Sequence, residues 1–262
     1  MAQFQENARV TRIEELGGEN YRITVDCPQI CKVSHPGQFV MVRTGRGQDP
    51  LLRRPFSIHQ TSAQGEMQLY FKVVGRGTDI LSHVRKGEIL SIFGPLGKGF
   101  RLVKDKPAVM VGGGLGIAPL LYLGKELCRL KIAMEGDTII LGARNREELA
   151  PLVKDFQQFG FNLFTATDDG SLGHHGFVTE VLAVVDIPAE SVVYCCGPEP
   201  MMAAVAKFCH SQGLTCQVSV ESVMACGMGA CLGCSRPAKN GIYTHVCLNG
   251  PVYNAEELVW NI

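Results

Sequence analysis

From Asn7 to Gly94 the chain alternates apolar and polar positions in short runs: Ala8–Leu16, Tyr21–Cys27, Gln38–Thr44, Phe56–Gln60, Glu66–Val74 and Glu88–Phe93. Gly17-Gly18, Pro36-Gly37, Gly45–Pro50, Gly65 and Gly75–Gly77 divide them. Period-two runs bounded by turn residues predict β-strands. Six such strands, with at most a short helix near Asp79–Val84, predict a closed antiparallel barrel.

The pattern changes after a plausible linker, Arg101–Lys106. Ala108–Val111, Thr138–Leu141, Phe161–Ala166, Val192–Cys195 and Thr215–Val220 are compact apolar runs that read as strands. Ala118–Leu130, Glu147–Phe159, Gly176–Val185 and Pro200–Gln212 lie between them with helical periodicity. This alternation predicts an α/β domain, a parallel sheet with helices on both faces. Past Glu221 the chain turns rich in cysteine and glycine and poor in helix signals, and reads as a small appendage shaped by a cofactor. The expected division is 1–103, 104–220 and 221–262.

Hydrophobic residues make up 46% of the 262 residues and charged ones 19%, enough for two cores. The formal net charge is zero, which argues against a nucleic-acid binder or a polybasic membrane anchor. Met1–Val10 carries no apolar leader, and the longest apolar piece, Ile117–Leu123, is too short to span a bilayer. Eleven cysteines without a leader point to a reducing compartment, the cytoplasm, and to metal or redox chemistry rather than disulfides.

Four of those cysteines, Cys226, Cys231, Cys234 and Cys247, follow the spacing C-x4-C-x2-C-x12-C. That is the plant-type [2Fe–2S] arrangement, in which four soft thiolates complete two tetrahedral irons. The small residues between them let backbone N–H groups reach the sulfurs. A structural zinc site is the competing reading; zinc knuckles usually supply cysteines in closely spaced pairs on both sides. The other seven cysteines, Cys27, Cys31, Cys128, Cys195, Cys196, Cys209 and Cys216, lack ligand spacing and read as small buried hydrophobes.

Arg54-Pro55-Phe56-Ser57 stands at the start of a barrel strand, where an arginine fork can grip a pyrophosphate and a hydroxyl can turn toward a ring nitrogen. A solvated arginine at a strand edge would look the same. Phe71-Lys72-Val73 leads into Gly75–Thr78, where Gly77 and Thr78 form either a phosphate nest or a plain tight turn. Gly112–Pro119 follows a strand and opens a helix, the context for a dinucleotide pyrophosphate, though without the G-x-G-x-x-G spacing. Cys196-Gly197-Pro198 repeats that context one strand further on. Asp168 and Asp169 end a strand and would repel a 2′-phosphate, favouring NAD over NADP. His174-His175, between Gly173 and Gly176, reads as a loop rather than a metal site.

Together these motifs resemble the ferredoxin–NADP reductase superfamily from about Asn7 to Val220. Glu221–Cys234, Asp168–Gly173 and Cys247–Tyr253 further resemble the electron-transfer subunits of NAD-dependent, class 1B dihydroorotate dehydrogenases. The resemblance implies an FAD-binding barrel, with Arg54 on the pyrophosphate beside Pro55 and Phe56, and Ser57 on the isoalloxazine. It implies that Phe71, Lys72 and Val73 line the flavin site and that Gly77 and Thr78 contact the pyrophosphate. Gly113, Gly114 and Gly197 would approach the nicotinamide dinucleotide. Phe56 stands where the superfamily often has tyrosine, so a hydroxyl contact is lost.

The resemblance also implies a partner, an FMN-containing dihydroorotate dehydrogenase catalytic subunit, in a heterotetramer of two of each. Electrons would pass from that FMN through the cluster and FAD to NAD, a diffusible substrate, in pyrimidine biosynthesis. No general acid or base is named, because the chain's task is placement and tuning of potentials. Met224, Met228 and Leu232 are the expected apolar contact surface, or else packing around the cluster. The rival readings are a subunit of a hydrogenase or a ferredoxin–NADP transhydrogenase, a stand-alone NADH-dependent reductase, and a zinc-stapled interaction protein.

Overall fold

A computed structural model describes residues 2–45, 47–130 and 136–260. Arg46, inside the expected Gly45–Pro50 divider, lies outside them. In β1 (Phe4–Gly17), Ala8 and Val10 are buried while Arg9 faces out, the alternation of a half-buried strand. β2 (Asn20–Asp26), β3 (Phe39–Arg43), β4 (Arg54–Thr61), β5 (Glu66–Lys72) and β6 (Ile89–Leu96) follow, and the six close into an antiparallel barrel in the order β1-β2-β5-β4-β3-β6. Its interior is filled by residues such as Ile23, Val40, Ile58, Met67 and Ile92. Two short helices interrupt the strands. α2 (Arg76–Ser82) is the expected one; α1 (Pro28–Val33) is not in the sequence reading, since six residues carry too little periodicity.

The second unit carries β7 (Ala108–Gly113), α3 (Ala118–Arg129), β8 (Thr138–Ala143), α4 (Arg146–Gln157), β9 (Asn162–Thr167), β10 (His174–His175), α5 (Val178–Val184), β11 (Val192–Cys196), α6 (Glu199–Gln212) and β12 (Thr215–Ser219). Every residue of β7 is buried, as a central parallel strand requires. α3 and α4 contribute apolar side chains to the core on one face of the sheet, α5 and α6 to the core on the other. The His174-His175 pair is not a loop: it adds two residues of parallel strand beside Ala166 and Thr167.

The C-terminal segment departs most from expectation. A hairpin of β13 (Ser235–Pro237) and β14 (Tyr243–His245) runs into α7 (Val246–Asn249) and then β15 (Val252–Asn254). β15 pairs antiparallel with β12, Ser219 opposite Val252 and Gln217 opposite Asn254, and completes a sheet in the order β10-β9-β8-β7-β11-β12-β15. Val246, Tyr253 and Leu258 are buried in the same core as Val193 and Val218. The segment is therefore stitched into the main sheet and has a core contact of its own.

Barrel and sheet are tied together at several points. Asn145 caps α4 through Glu148 N (3.0 Å), which sets the first turn against the barrel. There Glu148 pairs with Lys72 at 2.6 Å and Glu147 accepts from Gly18 N at 3.1 Å. Arg22 pairs with Asp155 further along. On α3, Tyr122 donates to Ser34 O at 3.0 Å, and the His59 ring bonds Ala118 O at 2.7 Å. The expected linker is pinned as well: the Arg101 backbone exchanges two 2.8 Å bonds with the Gln217 amide.

Candidate functional site

Where β4, β5 and α2 meet the edge of the sheet, a cleft of about 450 Å³ opens. Arg54, Pro55, Phe56, Ser57, Phe71, Lys72, Gly77 and Thr78 all line it; Val73 does not. The Arg54 stem lies across Gly77, where an added Cβ would fall 3.0 Å from Arg54 Nε and 3.5 Å from Thr44 Oγ1. Thr44 Oγ1 is buried and has no protein partner. A close approach at glycine, a guanidinium over it and an orphaned hydroxyl beside it suit an anionic group such as a pyrophosphate. The Thr78 side chain is engaged within the turn itself. Its hydroxyl donates to Gly75 O (2.9 Å) and accepts from Val74 N (3.0 Å) and Gly75 N (3.2 Å), so it stabilises the turn. Phe56 packs edge-on to Phe71 at 5.7 Å, which gives the cleft a rigid aromatic wall.

The opposite wall comes from residues that the sequence analysis did not assign to a flavin site. Cys196, at the end of β11, lines the cleft, and so do Glu221 and Met224 beyond β12. Burial raises the Glu221 carboxyl, and burial together with the Glu221 charge pushes the Cys196 thiol up. Met224 thus faces the cleft rather than forming outer surface. The signal they carry is their place at or beyond the end of a sheet strand, where ligands of α/β sheets gather.

A second cavity, about 690 Å³, lies over the ends of the central strands. Gly113 and Gly114 line it with Pro198, Met201 and Asp168. Gly197 stands just behind: a Cβ there would strike Met201 Cε at 2.4 Å and approach Gly113 N to 3.2 Å. The Gly112–Pro119 motif does not open directly into a helix. Gly114–Ile117 first makes a tight 3-10 turn, and a Cβ on Gly116 would lie 2.4 Å from the Cys196 and Gly197 backbone. The glycine thus lets the two strand-turn-helix loops touch. Only one of the two acids faces the cavity. Asp169 turns away to accept from Ser171 N (2.9 Å) and Oγ (2.6 Å), bonds that lower its carboxyl. The two cavities share Tyr70, Lys72, Val74 and Leu115 as a common wall.

The four spaced cysteines gather on the C-terminal segment. Cys226 Sγ accepts from Met228 N and Cys231 N, both at 3.4 Å, and Cys231 Sγ accepts from Gly233 N at 3.5 Å. Cys234 Sγ lies 3.2 Å from Cys247 Sγ and accepts from Cys247 N at 3.4 Å. Partial burial pushes the Cys226 thiol up, but the N–H groups of Met228 and Cys231 outweigh it and bring it down to about 6. Burial and the Cys234 thiol raise Cys247 to about 12. Among the described residues no three His, Cys, Asp or Glu side chains converge on one ion position. The cysteines form two pairs with N–H donors aimed at sulfur, which suits two sulfide-bridged irons better than one zinc at the centre of four ligands. Gly227 packs on Met41 and Leu96, so this loop rests on the barrel beside the flavin-type cleft. Of the other cysteines, Cys27, Cys195, Cys196, Cys209 and Cys216 are buried, and Cys31 and Cys128 are half-buried.

Known proteins share this organisation. Residues 221–259 match the family described as the iron–sulfur cluster binding domain of dihydroorotate dehydrogenase B. Residues 110–207 match the oxidoreductase NAD-binding domain and residues 8–100 the oxidoreductase FAD-binding domain. The dihydroorotate dehydrogenase B (NAD(+)) electron transfer subunit of Desulforamulus reducens is 37% identical, over 97% of this chain and 98% of its own length. That of Caldanaerobacter subterraneus is 40% identical, again over 97% and 98%. Among solved structures, an NADH-dependent reduced ferredoxin–NADP oxidoreductase chain superposes with a TM-score of 0.86 at 27% identity, over 97% of this chain and 90% of that one. A ferredoxin–NADP reductase from Neisseria gonorrhoeae, 15% identical with a TM-score of 0.65 over 80% and 92%, shares the fold.

Proposed function

The chain belongs to the electron transfer subunits of dihydroorotate dehydrogenase B, and from that premise we propose the following assignment of roles within it. The protein is the electron-transfer component of an NAD-dependent oxidoreductase in pyrimidine biosynthesis, and as such serves a catalytic partner subunit. It carries electrons from a dihydroorotate-oxidising FMN subunit by way of a [2Fe–2S] cluster and FAD to NAD. The assembly is a heterotetramer of two of each subunit, working in the cytoplasm. The barrel unit (1–103) binds FAD, the α/β unit (104–220) binds NAD, and the segment 221–262 binds the cluster.

When bound, FAD exchanges electron pairs with a nicotinamide and single electrons with an iron–sulfur cluster, so it belongs between them. The chain's own residues arrange this. Arg54 grips the FAD pyrophosphate over Gly77, the Thr78 backbone completes the cradle, and Thr44 offers its unpartnered hydroxyl. Ser57 hydrogen-bonds the isoalloxazine beside Pro55 and Phe56, with Phe71 and Lys72 on the neighbouring strand. Gly113 and Gly114 admit the nicotinamide dinucleotide, and Gly197 gives Met201 room to shape the cavity. Tyr70, Val74 and Leu115 exclude water where the two cavities meet, and the Lys72–Glu148 pair closes the side of that junction. Cys226, Cys231, Cys234 and Cys247 hold the cluster.

One observation carries the reading. The two cavities share a wall, and Met224, which lines the flavin cleft, is two residues from the first cluster cysteine. Electrons therefore have a short path through one chain. Met228 (48% exposed), Leu232 (53%) and Leu248 (46%) surround the cysteine loop and form the apolar contact for the catalytic subunit. The test is reconstitution. The isolated chain should oxidise NADH with artificial acceptors but not dihydroorotate; adding the FMN-containing catalytic subunit should produce dihydroorotate-dependent NADH formation. No activity from associated, fully loaded subunits would overturn it. The likeness to the NADH-dependent reduced ferredoxin–NADP oxidoreductase chain favours a second reading, service to a ferredoxin-linked complex, and activity with that kind of partner alone would select it.

A further inference from the structure

The cluster segment is tied to the start of α6 through an ion pair. Arg236 lies on β13, two residues past Cys234, and opposite Thr244 of β14, the strand that runs into α7 with Cys247. Its Nη2 donates to Glu199 Oε1 at 2.6 Å and its Nη1 to Oε2 at 3.5 Å. Its guanidinium carbon stands 5.4 Å from the centre of the Trp260 ring, and Trp260 Nε1 donates to Ala255 O at 3.0 Å. The Arg236 side chain is only 13% exposed, and its Nε is buried without a protein partner. Glu199 opens α6, and Pro200, Met201 and Ala204 on the next turns line the nicotinamide-type cavity.

A half-exposed carboxylate makes this pair a weak source of stability. What it does supply is a positive charge fixed by Glu199 and the Trp260 ring, two residues along the chain from Cys234. Reducing a cluster adds one negative charge, so a nearby cation favours the reduced form and a nearby anion opposes it. We propose that Arg236 is a positioning residue that holds this charge toward the Cys234–Cys247 half of the cluster site and raises its reduction potential, with Glu199 at the start of α6 as the counter-charge. The inference rests on the cluster assignment made above.

The experiment is an anaerobic redox titration of the cofactor-loaded protein, following the reduced cluster by electron paramagnetic resonance. Arg236→Gln should shift the midpoint to lower potential and Glu199→Gln to higher potential. Each should change the reduced-to-oxidised ratio at the wild-type midpoint by about tenfold, the order expected for a unit charge acting through an effective dielectric near 20. Arg236→Lys, which keeps the charge, should stay near wild type. Loosened packing would move both substitutions in the same direction, so opposite signs are the diagnostic result. Shifts of the same sign, no shift, or Arg236→Lys moving as far as Arg236→Gln would overturn the proposal. If Arg236→Gln loses iron, the comparison of Glu199→Gln with Arg236→Lys decides. A wild-type protein with no [2Fe–2S] signal removes the cluster reading and this inference together; a normal signal that the substitutions do not shift removes only the inference.

Discussion

Lowering the pH to about 5 should cost the fold roughly 2 kcal/mol through one side chain, His59. The imidazole is fully buried between the barrel and α3, bonded through Nδ1 to Ala118 O at 2.7 Å, while Nε2 has no partner. Burial holds its pKa down to about 3, the Ala118 bond opposing and the Arg22 charge assisting. A histidine with a depressed folded-state pKa stabilises fully above its unfolded value, near 6.5, and loses that contribution as pH falls toward the folded value. At pH 5 the unfolded chain gains about 1.5 decades of protonation free energy, near 2 kcal/mol, while the folded ring stays neutral. With a urea slope of about 3 kcal/mol/M, the midpoint falls by roughly 0.7 M. The assay is urea unfolding followed by far-ultraviolet circular dichroism at pH 8 and at pH 5. His59→Gln should be less sensitive to acid by this amount, and the difference between the two proteins subtracts every other titrating group. An equal loss in wild type and variant would refute the reasoning.

Three further outcomes are expected. Arg54→Ala removes a charged hydrogen-bond donor worth roughly 1.5–3 kcal/mol, so FAD affinity measured by equilibrium dialysis should fall about tenfold or more, and the released flavin should be FAD. NADH should reduce the bound flavin faster than NADPH at low, equal concentrations in stopped flow. Asp168→Asn should narrow that preference while Asp169→Asn leaves it, since only Asp168 faces the cavity; matching effects would count against the assignment. Cys231→Ala should abolish iron and acid-labile sulfide in anaerobically purified protein but leave far-ultraviolet circular dichroism nearly unchanged, because β15 stays paired with β12 without the cluster. Retained labile sulfide, or collapse of the sheet signal, would contradict it.

The linear order of apolar and polar residues was enough to find most elements. The barrel strands and the alternating strands and helices of the second unit lie within a few residues of where periodicity put them, because burial on one face is recorded locally at every second or every third to fourth position. The cysteine spacing and the glycine turns are equally local, and they name the chemistry. What they leave open depends on contacts between distant parts of the chain. Val252–Asn254 is too short to read as a strand, and only pairing with Gln217–Ser219 makes it one. His174 and His175 become strand for the same reason, against Ala166 and Thr167. Asp168 and Asp169 are neighbours of identical type, yet a turn through Ser171 takes one away from the cavity. Glu221, Cys196 and Met224 line the cleft between barrel and sheet because the sheet delivers its strand ends there. Arg236 meets Glu199 across 37 positions of sequence. Side-chain periodicity is a property of one segment, whereas a site is a meeting of several, and only the closed barrel, the sheet order and the stitched C-terminal strand decide which residues meet.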